Sequence, residues 1–283
     1  MAKRIKKFFK FLIVVIVVII GCVEIGHFDI ISNPFVANDK VIDETVRNIS
    51  LKYNNESVPV LMYHSIGTSN LNPYVVSTDR LNMDMKYLND NGFTTLSTDD
   101  LYDFMVKNKP VPKKSVLITF DDGYEDNYTN AFPILKKYKF KATIFVITGY
   151  IDKSKHFLSS AQLKEMQSNG IDIESHTNLH DKLGTCTYDS QLKTLKTSKD
   201  YIEKTLNKTV RYISYPFGSY NLDTLKAVNA AGYKMAFTTN GRWANTSNGI
   251  LTLNRVFISG FHHSNSFKTR VNDSWYLFKY LYL

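Results

Sequence analysis

The sequence predicts an α/β fold, a parallel sheet either open or closed into a barrel, preceded by an N-terminal membrane segment. Three observations predict it. From Val58 onward, short β-rich runs alternate with helical patterns of ten or so residues, the pattern of parallel strands joined by crossover helices. Residues with reactive side chains follow directly after the apolar runs, at the carboxyl ends where such folds gather their ligand sites. The chain also opens with a basic stretch followed by an uncharged apolar run.

The elements follow in order. Val60-Leu61-Met62-Tyr63 reads as a strand. Leu81, Met85 and Leu88 mark one face of a helix, capped at Ser77 or Thr78 and stopped by Gly92. Thr98 caps a second helix carrying Leu101, Phe104 and Met105. Ser115–Phe120 is a buried strand, Tyr128–Tyr138 a helix and Ala142–Ile147 another strand. Ala161–Ser168 is helical, Ile171–Glu174 a strand and Tyr188–Leu206 a long exposed helix. Tyr212–Tyr215, Leu222–Ala231 and Tyr233–Phe237 repeat the strand, helix, strand theme, and aromatic-rich 275–283 reads as a packed terminal helix.

Composition narrows the function classes. Of 35 basic residues, Lys3, Arg4, Lys6, Lys7 and Lys10 stand in the first ten, leaving 30 against all 26 acids. The formal charge of +9 is therefore mostly a tail, which argues against nucleic-acid binding. Behind that tail, 11–23 form an uncharged run suited to a signal or anchor segment, with the cations holding 1–10 in the cytoplasm. The run ends Ile19-Ile20-Gly21-Cys22, which resembles the lipobox of bacterial lipoproteins, so a lipidated Cys22, an uncleaved anchor and a cleaved signal all stay open. The expected organisation is a signal or anchor over 1–23, an extracytoplasmic linker over 24–57 and a catalytic domain over 58–283. With only Cys22 and Cys186, no disulfide framework is available.

Three strand ends carry the chemistry. His64 follows the first run, Asp121-Asp122-Gly123 follow Leu117–Phe120, and Ser175-His176-Thr177-Asn178-Leu179-His180 follow Ile171–Glu174. His176 and His180 have metal-ligand spacing, and one carboxylate completes a His₂-carboxylate site with room for water. Alone, a pair of histidines is weak evidence, and an Asp pair at a strand end is often a helix cap. Adjacent side chains at a strand end point in different directions, so one Asp can ligate a metal while its neighbour faces the bound water.

Thr119-Phe120-Asp121-Asp122-Gly123 and Ser175–His180 resemble the first two signature motifs of the polysaccharide deacetylases, the NodB-like group or carbohydrate esterase family 4, and Tyr215-Pro216-Phe217-Gly218 resembles the third. The resemblance covers roughly residues 58–258. It implies a distorted (β/α) barrel, in keeping with the alternation, and metal-dependent removal of N-acetyl groups by a metal-bound water. Asp121 would be the base, and Asp122, His176 and His180 would hold a divalent metal, usually zinc. The Phe217 N–H would bind the oxyanion, with Tyr215 beside it at the substrate. Leu61-Met62-Tyr63-His64 ahead of the Asp-Asp motif resembles the circularly permuted subgroup that acts on poly-β-1,6-N-acetylglucosamine of biofilms, which makes His64 the acid. A nearby carboxylate would favour its protonation.

Two departures accompany the resemblance. Where many members carry an arginine that orients the base, this chain has Ser214, with Arg211 three residues earlier. The aspartate–tryptophan motif of the wider family is missing, and Trp243 and Arg255 receive no role. His262 and His263 rival His64 for the acid by their late position, and read as loop. The sequence thus predicts a membrane-tethered extracytoplasmic N-deacetylase of an N-acetylglucosamine polymer, of unknown oligomeric state. Peptidoglycan is the alternative substrate, and a non-catalytic polysaccharide-binding protein the alternative class.

Overall fold

The computed structural model describes residues 49–68 and 71–279. The predicted signal or anchor segment, Cys22 and most of the predicted linker lie outside them. Among the described residues no helix is long and apolar enough to cross a membrane. From Ser50 onward the chain forms one compact unit.

The strands are β1 (Leu51–Lys52), β2 (Val60–Tyr63), β3 (Ser65–Ile66), β4 (Val75–Val76), β5 (Thr94–Leu96), β6 (Val111–Pro112), β7 (Ser115–Phe120), β8 (Ala142–Val146), β9 (Ile171–Ser175), β10 (Tyr212–Ser214), β11 (Met235–Phe237) and β12 (Val256–Phe257). The helices are α1 (Thr78–Asp90), α2 (Thr98–Lys107), α3 (Phe132–Tyr138), α4 (Ser160–Ser168), α5 (Tyr188–Leu206), α6 (Leu222–Ala230), α7 (Ser264–Asn272) and α8 (Tyr276–Lys279). Eight strands make one sheet in the order β11-β10-β9-β8-β7-β2-β12, with β5 beside the first half of β7. Every pairing in it is parallel. Leu253, just ahead of β12, bridges back to Phe237 of β11. Segment 253–257 therefore links β2 to β11, joining the two sides of the curled sheet.

Side-chain alternation sorts the strands onto two faces. Val60, Leu117, Phe145, Tyr212, Met235 and Phe237 share an inner cluster. Leu61, Val116, Ile118, Ile144, Ile173 and Ile213 share an outer one with the helices. Each such fully buried side chain contributes about 1.5–3 kcal/mol. The parity decides what each strand end presents, so Asp121 extends the inner row through Leu117 and Thr119.

The structure adjusts several boundaries. α2 is capped by Ser97, whose hydroxyl accepts from the Asp100 N–H in a reciprocal capping box, rather than by Thr98. The stretch read as one helix over 128–138 begins instead with a π-helical turn, Asn127–Ala131, and becomes α-helical only at Phe132. β1 pairs with β6, so paired backbone starts at Leu51, ahead of the domain start predicted at Val58.

A buried polar cluster ties α1 to the 259–263 loop. Arg80 Nε donates to Asp84 at 2.7 Å, and Tyr63 OH donates to the other Asp84 oxygen at 3.0 Å. Arg80 also donates to the carbonyls of His262 and His263. Burial raises the Asp84 carboxyl to about 6, against the pull of Arg80 and the Tyr63 bond. A carboxyl raised above its ordinary value of about 3.9 gives stability that is complete below that pH and lost as pH rises through about 6. Asp84→Asn should therefore flatten the stability profile between about pH 4 and pH 6, by up to about 3 kcal/mol. Urea melts of both proteins across that range test it; parallel profiles would contradict it.

Candidate active site

A pocket of about 480 Å³ opens at the carboxyl ends of the strands, lined by His64, Tyr74, Asp121, Asp122, Tyr124, His176, His180, Phe217, Thr239 and Phe257 among others. Five of the side chains expected at the site meet there with Phe217: His64, Asp121, Asp122, His176 and His180. Backbone strain concentrates around them. Asp122 (φ 72°), Thr177 (φ 65°), His180 (φ 60°) and Phe217 (φ 59°) are non-glycine residues in the left-handed region, at a cost of about 1–3 kcal/mol each. The positive φ at Asp122 breaks the strand alternation and turns it away from its neighbour's inner face.

Asp122 Oδ1 lies 3.4 Å from His176 Nε2 and 3.3 Å from His180 Nε2. That oxygen is buried and has no hydrogen-bond partner. Among the described residues these three form a group able to hold a metal ion. The donor set fits one. His176 Nδ1 lies 2.7 Å from the Ser214 carbonyl, to which it can only donate, and this leaves Nε2 with a free lone pair. Donor atoms 3.3–3.4 Å apart also match ligands about 2.0–2.2 Å from a tetrahedral zinc.

Asp121 has a different environment. Arg255 grips it with two hydrogen bonds, NH1 to Oδ1 at 2.7 Å and NH2 to Oδ2 at 2.6 Å. Ser214 Oγ accepts from Arg255 at 2.7 Å and donates to Asp121 at 3.1 Å. Arg255 Nε donates to the Thr238 carbonyl at 2.9 Å, and the guanidinium packs near Phe145 and Phe237. Burial alone would raise the Asp121 carboxyl, but the charge and hydrogen bonds of Arg255, together with the nearby imidazoles of His176 and His64, outweigh it and the net shift is downward. Asp121 is thus an anion of fixed orientation.

Arg255 is the residue that the sequence reading missed. The orienting arginine absent at Ser214 is supplied from segment 253–257, so Ser214 and Arg255 together fill that role. Arg211 does not reach: it is half-exposed and pairs with Asp99 on the surface at 3.2 Å. Tyr215 is not brought to the pocket either. Strand parity sends Ser214 inward and Tyr215 into the outer cluster, where its hydroxyl donates to the Leu251 carbonyl at 3.0 Å. His262 is set behind Phe257, between the Ser259 N–H and the Arg270 guanidinium. Burial and that cation lower its pKa to about 4, and neither it nor His263 lines the pocket.

His64 stands against Tyr74 (4.9 Å between centroids) and Phe257 (6.1 Å). The nearby carboxylates of Asp121 and Asp122 do favour its protonation as expected, but burial, with the charges of Arg255 and His176, outweighs them and the net shift of its pKa is downward. Phe217 is 62% exposed and its ring lies 4.5 Å from that of His180. Its turn depends on glycine: a Cβ at Gly218 would stand 2.2 Å from Thr239 Oγ1 and 2.9 Å from the Thr239 nitrogen. The histidine loop is fixed similarly, since Gly149 donates to the Asn178 carbonyl at 2.7 Å and has no room for a Cβ.

The sequence profile named Polysaccharide deacetylase matches residues 108–236. Bacillus subtilis (strain 168) YxkH, assigned by its name to the polysaccharide deacetylases, is 43% identical over 202 residues, 71% of this chain and 71% of its own. The poly-β-1,6-N-acetyl-D-glucosamine N-deacetylase of Staphylococcus aureus (strain MSSA476) is 31% identical over 242 residues, 75% of this chain and 83% of its own. Among solved structures, Streptococcus pyogenes deacetylase PplD in complex with acetate superposes with a TM-score of 0.74 at 36% identity, covering 77% of this chain and 99% of that one.

Removing Arg255 would leave Asp121 buried with its charge unpaired, which typically costs about 3–5 kcal/mol. Arg255→Met should lower stability by that amount, and adding Asp121→Asn should restore most of it. Denaturant melts of the two single variants and the double variant decide; losses that simply add would contradict the pairing.

Proposed function

The chain belongs to the polysaccharide deacetylase family, and from that premise we propose that it hydrolyses N-acetyl groups of a β-1,6-linked poly-N-acetylglucosamine at the outer face of the cell membrane, tethered through its N-terminus. One observation carries the chemistry. Two adjacent carboxylates in one pocket have opposite surroundings: Asp121 is locked by Arg255, while Asp122 keeps a partnerless oxygen facing two imidazole nitrogens.

Asp122, His176 and His180 would hold a divalent cation, zinc being the one the resemblance implies, which bound there would supply Lewis acidity toward an acetamide carbonyl and lower the pKa of water to about 7. Asp121 takes the proton of the attacking water, and its fixed charge lets it do so without reorganising. The Phe217 N–H, set by the strained turn before Gly218, donates to the oxygen on which charge develops. His64, which lines the same pocket, gives a proton to the departing amine, which otherwise leaves poorly. Tyr74 and Phe257 shield that imidazole from bulk water.

Two facts support the β-1,6-linked substrate: His64 precedes the Asp121-Asp122 pair in the chain, and the Staphylococcus aureus relative is named for that activity. The product would be a partly cationic polymer. Full-length protein loaded with zinc should release acetate from β-1,6-linked N-acetylglucosamine oligomers, lose the activity to a chelator, and lose at least about 10²-fold in Asp121→Asn. Purified peptidoglycan serves as the comparison. Preference for peptidoglycan would overturn the substrate; no release from either by folded, metal-loaded protein would overturn the reaction in favour of glycan binding.

A further inference from the structure

A general acid acts only where its proton is aimed, and His64 takes its aim from its backbone. Asn127 Nδ2 donates to the His64 carbonyl at 2.8 Å. Asp126 accepts from the Ser65 hydroxyl and, at 2.9 Å, from the Ile66 N–H. Asn130 Nδ2 donates to the Ile66 carbonyl at 2.6 Å. Three side chains of one segment thus clamp 64–66 immediately beyond the pocket.

That segment includes the π-helical turn Asn127–Ala131, a rare conformation found disproportionately at functional sites. The wider turn places Asn127 wholly inside the protein, with Nδ2 on Asp126 and on the His64 carbonyl. Its Oδ1 is buried without a partner, and so is His64 Nδ1. Two unpaired buried polar atoms are costly, and these two belong to residues already joined by a hydrogen bond.

We propose that Asn127 is the positioning residue of the acid: its amide group fixes the His64 backbone, and its Oδ1 accepts the Nδ1–H hydrogen bond through one bridging water, so that the Nδ1 proton stays in place and His64 gives and regains a proton at Nε2 alone. This rests on the deacetylase reading with His64 as acid. A single water suits two polar atoms of this kind, one donor and one acceptor. A neutral amide also serves where a carboxylate would not. A third buried anion beside Asp121 and Asp122 would be costly to desolvate and would hold the proton that His64 has to release.

The role can be separated from folding by the leaving group. An N-acetyl substrate needs a proton on its amine, whereas 4-nitrophenyl acetate expels a phenolate that needs none. In the zinc-loaded full chain, Asn127→Leu should lower kcat on β-1,6-linked N-acetylglucosamine oligomers roughly 10- to 100-fold with KM unchanged. Hydrolysis of 4-nitrophenyl acetate should stay within about twofold, and Asn127→Leu should add nothing in a His64→Ala background. Equal loss on both substrates, or a full further loss without His64, would overturn the role. Should Asn127→Leu not fold, Ser65→Ala loosens the same clamp and is expected to show the same selective loss in milder form; an indiscriminate loss there would count against it. Wild-type protein inactive on both substrates would overturn the deacetylase reading and this role with it.

Discussion

The buried ion pair between Arg255 and Asp121 is the interaction on which the site depends. Arg255 comes from the segment that links β2 to β11, and it is fully buried. Its guanidinium joins β7 through Thr119 and Asp121, the end of β10 through Ser214, and the end of β11 through the Thr238 carbonyl. Two charges removed from water seldom stabilise a fold on balance. What the pair secures is an aspartate held as an aimed anion in a pocket where burial alone would raise its pKa.

That fixed anion allows two adjacent carboxylates to differ. Strand alternation places Asp121 on the inner face with Thr119, and the left-handed turn at Asp122 redirects the next side chain toward His176 and His180. The strain at Asp122, Thr177, His180 and Phe217 is maintained by packing around them, most visibly where Gly149 and Gly218 let other backbone approach. The π-helical turn holds the His64 backbone through the Asn127 amide.

Much of this was legible in the chain because local signals carry it. Short β-rich runs and helical spacing of apolar residues mark the strands and helices, and the reactive residues follow the strand ends in order. What escaped was non-local or too short. β12 holds only two residues, and β5 three between the end of one helix and the cap of the next, so neither stands out as an apolar run. Arg255 meets Asp121 across 134 positions of sequence, and no local pattern announces such a pair. A signal did exist: Ser214 in place of an arginine demands a cation from elsewhere. Arg211, close in sequence, drew attention from Arg255, which is close in space. Tyr215 was misplaced because its motif was read without counting strand parity from Tyr212. The π-helical turn passed for ordinary helix, since its apolar residues fall where α-helical ones would.

The division of labour between the two aspartates is the central claim, and zinc stoichiometry tests it most directly. Metal content would be measured on wild-type, Asp121→Asn and Asp122→Asn proteins after stripping and reloading. Asp121→Asn should still bind one zinc per chain while failing to release acetate, whereas Asp122→Asn should lose the metal. Loss of zinc from Asp121→Asn, or full retention in Asp122→Asn, would contradict the account.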